Sequence, residues 1–169
     1  MRTLYLMRHA KSDWDASYVG DHERPLSTRG LKAARRMGKF LFRTDELPEQ
    51  ILCSSAVRTR QTLEVASTEG GWPEIPVSVE NELYLTSQER ILARLRALDD
   101  QTGSAMIIGH EPTTSVVAGS LIGSASIRVP TAACSRIDLY VESWGDVRPG
   151  CGTLEWHVTP KTLKKGARK

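Results

Sequence analysis

With 169 residues, 40% of them hydrophobic and 25% charged, the chain has the size and composition of one folded domain. That balance disfavours disorder, collagen-like repeats and a membrane span. The formal net charge is +3, yet the last nine positions hold five basic residues (Lys161, Lys164, Lys165, Arg168, Lys169) and no acid.

Without those nine, positions 1–160 carry 18 basic and 20 acidic residues, so the body reads as slightly acidic and the basicity as belonging to a tail. Neither a nucleic-acid partner nor a membrane partner is expected on that count. The division is a single domain over 1–160 and a basic C-terminal tail over 161–169, read as a solvated end. Cys53, Cys134 and Cys151 are odd in number and form no CxxC pair, which suits a reducing compartment and offers no zinc site. The N-terminal apolar run is too short for a signal-peptide core and ends in Arg8-His9, so the expected location is the cytoplasm.

Leu4 to Met7 is an apolar run of the kind a buried strand needs. Lys11 to Pro25, rich in Asp and Ser, reads as a loop. From Arg29 the period becomes helical: Ala33 or Ala34, Met37 and Leu41 line one face, while Arg35, Arg36 and Lys39 face outward. Ile51 to Cys53 reads as a second strand. Ser54 and Ser55 then stand where N-caps would, ahead of a helix burying Ala56, Leu63 and Ala66.

Gly70 to Pro76 is a break, and Val77 to Val79 a short third strand. Thr86-x-x-Glu89 has the form of a capping box before a helix striped with Ile91, Leu95 and Leu98. Ala105 to Ile108 reads as a fourth strand, with Pro112 suited to open a helix carrying Val116, Val117 and Leu121. Ile137, Leu139 and Val141, then Leu154, Trp156 and Val158, alternate with polar residues like an antiparallel hairpin. Strand and helix alternate before that hairpin, which predicts an α/β fold: a three-layer α/β/α sandwich with a mostly parallel central sheet.

Ligands of such sheets sit at the carboxyl ends of the strands. The first strand ends in Arg8-His9, the second in Ser54-Ser55 with Arg58 a turn later, and the fourth in Gly109-His110. Two histidines and two arginines at one sheet edge suit phosphoryl chemistry. Guanidinium forks bind phosphoryl oxygens, and imidazole can attack phosphorus.

These residues carry a family resemblance. Leu6-Met7-Arg8-His9-Ala10 resembles the Arg-His-Gly signature of the histidine phosphatase superfamily, and Ser54-Ser55-Ala56-Val57-Arg58-Thr59-Arg60-Gln61-Thr62 resembles its Ser-x-x-x-x-Arg-x-x-Gln-Thr segment. Gly109-His110 resembles its second histidine motif. Arg24-Pro25-Leu26-Ser27-Thr28-Arg29-Gly30 and the compact length look most like the SixA-type phosphohistidine phosphatases. The resemblance implies a phosphoglycerate mutase-like fold and a phosphatase working through a covalent phosphohistidine on His9. Arg8 and Arg58 would hold phosphoryl oxygens, and His110 would stabilise transition-state charge. It implies no cofactor and no metal ion. The substrate would be a phosphorylated protein, such as a histidine-phosphotransfer domain, or a small phosphoester. A non-catalytic phosphoryl-binding module is the competing class.

Asn81-Glu82-Leu83 resembles the Asn-Glu segment of the phosphoglycerate mutase branch, making Glu82 the candidate proton donor beside its reading as a solvated carboxylate. Arg24 would reach substrate or pair with Asp21. Ser12 and Lys11, in the loop after His9, would touch substrate or solvent. Ala10 departs from the family's Gly, which requires a negative φ there. Asp15 stands where the mutase branch has Asn, and a carboxylate there would have to point away from phosphate. His22 and His157 read as surface residues, Trp14 as an exposed aromatic near the entrance, and Arg60 as turned away from the pocket.

Overall fold

The computed structural model describes residues 1–165. Its six strands are β1 (Arg2–Arg8), β2 (Gln50–Ser54), β3 (Val77–Glu80), β4 (Ser104–Gly109), β5 (Cys134–Leu139) and β6 (Gly152–Val158), in one sheet ordered β3-β2-β4-β1-β5-β6. β1 to β4 run parallel, and β5 and β6 add the antiparallel hairpin at one edge.

The period-two alternation of the central strands decides what covers each face. Leu4, Leu6, Leu52, Ala105 and Ile107 pack with Ile91, Leu92 and Leu95 of α3 (Gln88–Arg96) and with Val117, Ala118 and Leu121 of α4 (Thr113–Leu121). Their neighbours Tyr5, Met7, Ile51, Cys53, Met106 and Ile108 pack on the opposite face. They meet Met37 and Leu41 of α1 (Thr28–Arg43) and Leu63 of α2 (Val57–Gly70). The result is the expected three-layer sandwich.

Register aligns the strand ends that matter. Arg8 pairs with Gly109 between β1 and β4, and Cys53 with Ile108 between β2 and β4. The His9 amide then donates to the Gly109 carbonyl at 3.0 Å, which fixes the two histidine-bearing turns side by side.

Local details differ from the sequence reading in three places. α2 is capped by neither Ser54 nor Ser55. Its N-cap is Ala56, which makes no side-chain cap, because both hydroxyls are turned to histidines described below. The cap of α3 is Ser87 rather than Thr86, since the Thr86 carbonyl is tied to the Thr113 hydroxyl at 2.7 Å and the helix opens one residue later. Finally, Pro160–Lys165 form a helix, α5, with Leu163 packed on the α1 side of the sheet. The rest of the expected tail, positions 166–169, lies outside the described residues.

The charge count also hides an uneven distribution. Arg29, Lys32, Lys39 and Arg43 are exposed on α1, beside exposed Lys161 and Lys164 of α5, so the body has one strongly basic face after all.

Candidate active site

His9 follows β1 and is 7% exposed. Its Nδ1 lies 2.7 Å from the Ala10 carbonyl oxygen, which can only accept. Nδ1 therefore carries the proton, and Nε2 keeps the lone pair, free of any protein partner among the described residues. Burial, with the nearby His110, Arg58 and Arg8 charges adding to it, pushes the His9 pKa down to about 3. At neutral pH the ring is therefore uncharged.

His110 follows β4, with ring centroids 5.2 Å from His9, and is equally buried. Its Nε2 lies 2.7 Å from the Ser54 hydroxyl. Ser54 is fully buried and its oxygen accepts from the Ala56 amide, so the hydroxyl hydrogen needs an acceptor. Among the described residues that acceptor is Nε2 of His110. The His110 proton accordingly sits on Nδ1, which is buried without a partner. Burial, followed by the charge of Arg58, lowers the His110 pKa to about 4. His110 rests as a neutral N–H donor.

Arg58, at the first turn of α2, is 4% exposed. Its two terminal nitrogens donate to the Asp21 carbonyl at 2.7 Å and the Asp21 carboxylate at 3.0 Å, while its Nε is buried and unpartnered. Arg8 donates one terminal nitrogen to the Val129 carbonyl at 3.0 Å, and its Nε is also buried without a partner. Arg8 Nε, Arg58 Nε and His110 Nδ1 are thus orphaned donors around His9. Each such group costs on the order of 1–3 kcal/mol unless a ligand satisfies it. A tetrahedral oxyanion has the acceptors to do so.

Asp21, in the Asp21–Glu23 3₁₀ turn, organises the arginines. One carboxylate oxygen accepts from Arg24 at 2.7 Å, and the other from Arg58 and from the Tyr84 hydroxyl at 2.9 Å. Burial would raise its pKa, but the hydrogen bonds from Arg24, Tyr84 and Arg58 hold it well below the usual carboxylate range.

Arg24 is buried, pairs with Asp21, hydrogen-bonds Ser12 and lies 3.6 Å over the exposed Trp14 ring. Of its two sequence readings, the structure has the pairing. Ser12 is likewise a buried partner of Arg24. Lys11 is exposed; its carbonyl anchors the Ser27 amide and hydroxyl, and its side chain lines a cleft of about 530 Å³ with Arg8, Arg29 and Arg128.

Glu82 is exposed in the turn after β3 and makes no hydrogen bond among the described residues, while Tyr84, two residues on, packs edge-on against His110. Asp15 and Arg60 are exposed. Ala10 has no positive φ, which removes the concern over its missing glycine. His157 is half-buried, with Nδ1 2.8 Å from the Ser135 hydroxyl.

Sequence reasoning missed Asp21, Tyr84 and His22 as site residues. His22 lies 2.8 Å from the Ser55 hydroxyl and packs edge-on against Tyr84, so it is part of the site's wall rather than open surface. The signal was present for two helix residues whose purpose was obscure. Gln61 accepts from the Leu26 amide at 2.7 Å, and Thr62 accepts from the Ala10 amide at 2.9 Å. They clamp the loop after His9 onto α2.

Among the described residues no three His, Cys, Asp or Glu side chains cluster as metal ligands. The site thus brings together, at the carboxyl edge of the parallel strands, a histidine with an unprotonated ring nitrogen and three buried donors without partners.

A family model described as histidine phosphatase superfamily (branch 1) matches residues 4–84. The phosphohistidine phosphatase SixA of Escherichia coli is 29% identical, over 95% of this chain and 96% of its own length. An uncharacterized protein of Mycobacterium tuberculosis is 30% identical, over 92% of this chain and all of its own. The solved structure of a protein histidine phosphatase SixA complexed with tungstate superposes with a TM-score of 0.81 at 27% identity, covering 95% of this chain and 99% of that one. This chain belongs to the histidine phosphatase superfamily, in its SixA-type branch, and is a phosphatase with a phosphoglycerate mutase-like fold.

Proposed function

We propose that the chain dephosphorylates protein phosphohistidine through a covalent phosphohistidine on His9. The observation that carries this reading is the tautomer of His9: Nδ1–H is held by the Ala10 carbonyl, and the Nε2 lone pair is free to attack phosphorus. Attack forms an Nε2–P bond as the substrate's P–N bond breaks, and the leaving imidazole takes a proton from solvent water. Water then cleaves the Nε2–P bond, releasing inorganic phosphate and restoring His9.

Arg8, Arg58 and His110 carry the three donors for the equatorial oxygens of the transferring group. Their two formal charges and the added N–H dipole stabilise the transition state without a metal ion. Arg24 and Ser12 act behind them by fixing Asp21 and the loop. Glu82 is the proton donor required when an alkoxide, rather than imidazole, must leave. Lys11 lines the approach from the cleft beside Arg8.

The similar structure complexed with tungstate supports an oxyanion ligand, and the E. coli relative's name supports phosphohistidine as the substrate. A binding-only module has no use for a nucleophile with its lone pair freed in this way. Incubation with a phosphorus-labelled phosphohistidine protein, quenched in base and mapped by mass spectrometry, tests the proposal. Label on His9, with turnover abolished in His9→Ala, is expected. Full turnover by His9→Ala would overturn it.

A further inference from the structure

The basic face of α1 is not explained by the chemistry at His9. Arg29, Lys32, Arg36, Lys39 and Arg43 recur at spacings of three and four, which puts them on one stripe of the helix. The sixteen-residue helix contains no acid. Arg35 is paired with Glu69, but among the described residues none of the five stripe cations has an ion-pair partner. Arg29 stands in the first turn, where the helix dipole disfavours positive charge, and no acidic residue offsets it there. Such a stripe costs stability through mutual repulsion.

The stripe is continuous with two other features. Lys161 and Lys164 of α5 share a cleft of about 760 Å³ with Arg29, Lys32 and Arg36. Arg29 borders a second cleft as well, where it joins Arg8, Lys11 and Arg128 beside the site. Glu111 on that rim is occupied by the Ser115 amide and hydroxyl. A basic track therefore runs from the phosphoryl site along the length of α1. The cleft further along it has an apolar floor of Phe40 and Leu163, and Phe40 is already packed edge-on against Trp156.

We infer that this ridge docks the acidic face of the protein that presents the phosphohistidine, an inference that rests on the function proposed above. Mixed basic and apolar lining suits a folded protein surface. A single-stranded nucleic acid would want a row of exposed aromatic platforms for stacking, and α1 offers one exposed ring, Phe42, which no second exposed ring on the helix accompanies.

Two chemically phosphorylated phosphohistidine peptides serve as probes, one flanked by glutamates and one by glutamines, with the full chain as enzyme. At low salt kcat/KM is expected to be about tenfold higher for the glutamate peptide, with the advantage vanishing as ionic strength rises. Lys32→Glu/Lys39→Glu/Arg43→Glu should erase that preference and leave turnover of the glutamine peptide unchanged. Lys32→Gln/Lys39→Gln/Arg43→Gln should reduce it partially. Equal turnover of the two peptides by the wild type, or a preference surviving reversal, overturns the inference.

If neither peptide is hydrolysed, the proposed function fails, and docking is then read from fluorescence anisotropy of the unphosphorylated glutamate peptide. Binding lost on charge reversal supports the ridge, and no binding overturns it. A DNA duplex that binds the ridge more tightly than that peptide at the same salt also overturns it.

Discussion

The Arg58 guanidinium is held by a single residue, Asp21, through both its carbonyl at 2.7 Å and its carboxylate at 3.0 Å. Two terminal nitrogens are thereby committed to the protein, and the buried Nε is left as the donor without a partner. Asp21 also gathers Arg24 and Tyr84, so it sets the position of the cationic wall. Asp21→Asn keeps the shape and removes the charge. We expect kcat/KM to fall about tenfold, the loss of one charge-assisted hydrogen bond. The thermal midpoint should change little, because the carboxylate side chain is 45% exposed. Steady-state kinetics beside a melting curve checks both; unchanged kinetics would remove Asp21 from the site's machinery.

Both site histidines predict an acid-labile fold. Burial lowers His9 to about 3 and His110 to about 4, against about 6.5 in the unfolded chain. Between those values the unfolded state binds more protons than the native state, so stability rises with pH across that window. Their contribution is fully present above pH 6.5 and is lost as pH falls toward 4 and then 3. At most two protons are involved, for a slope of about 2.7 kcal/mol per pH unit. Melting curves from pH 4 to 8 should show a plateau above 6.5 and a decline below. His9→Asn/His110→Asn should flatten that decline. A wild-type curve already flat between pH 6.5 and 4 would contradict the neutral assignment.

The elements that the sequence declared most clearly are those whose cause is local. Leu4 to Met7 and Ala105 to Ile108 are too apolar for any place but a central strand, and both hold that place. That His9, Arg8, Arg58 and His110 come together was legible because strand ends in a parallel sheet converge by topology. Of Asp21 only the local pairing with Arg24 could be read; its hold on Arg58, and the places of His22 and Tyr84, depend on partners 37, 33 and 63 residues away: Arg58 for Asp21, Ser55 for His22 and Asp21 for Tyr84. Ser54 and Ser55 show the same limit from the other side. A serine before a helix is a cap by local rules, yet here histidines delivered by tertiary structure take both hydroxyls. The basic face was hidden for a related reason: a net charge averages over surfaces that folding separates.

Gly30 illustrates a motif residue whose role is steric. The Ser27 hydroxyl accepts the Gly30 amide at 3.1 Å as the cap of α1, and a Cβ on Gly30 would come within 2.1 Å of the Lys11 carbonyl oxygen. The obstacle is backbone, so neither partner can swing aside. Gly30→Ala should cost about 2–3 kcal/mol as an overpacking change. At roughly 2–4 °C per kcal/mol, that is a fall of about 4–12 °C in Tm. Because the displaced segment follows His9, activity at low temperature should fall as well. A variant as stable and active as the parent would mean that α1 and the loop can separate freely.

Ser54→Ala tests the tautomer of His110. Without the hydroxyl, Nε2 has no donor, and the ring is free to move its proton from Nδ1 and lose the unpartnered N–H to which the proposed function gives a phosphoryl oxygen. The expected effect is a decrease of about tenfold in kcat with little change in KM, since the donor matters most as charge builds in the transition state. Histidine nitrogen shifts in the ¹⁵N-labelled protein report the tautomer directly. Wild-type protein with the proton on Nε2 of His110 would refute the assignment whatever the kinetics.

Glu82 separates the two leaving groups that this site could meet. Its exposed carboxylate makes no hydrogen bond or ion pair among the described residues, so Glu82→Gln should leave folding unchanged. Imidazole departs from phosphorus with less help than an alkoxide, whose expulsion at neutral pH needs a proton in the transition state. For a phosphohistidine peptide we expect turnover to fall less than about threefold. For an alkyl phosphate, any measurable rate should fall by about 10²-fold or more, the usual worth of a positioned general acid. The ratio of the two losses is the informative quantity, because a general disturbance of the pocket would lower both together. Equal losses would assign Glu82 to the structure of the turn, and the proton for an ester would then have to come from solvent.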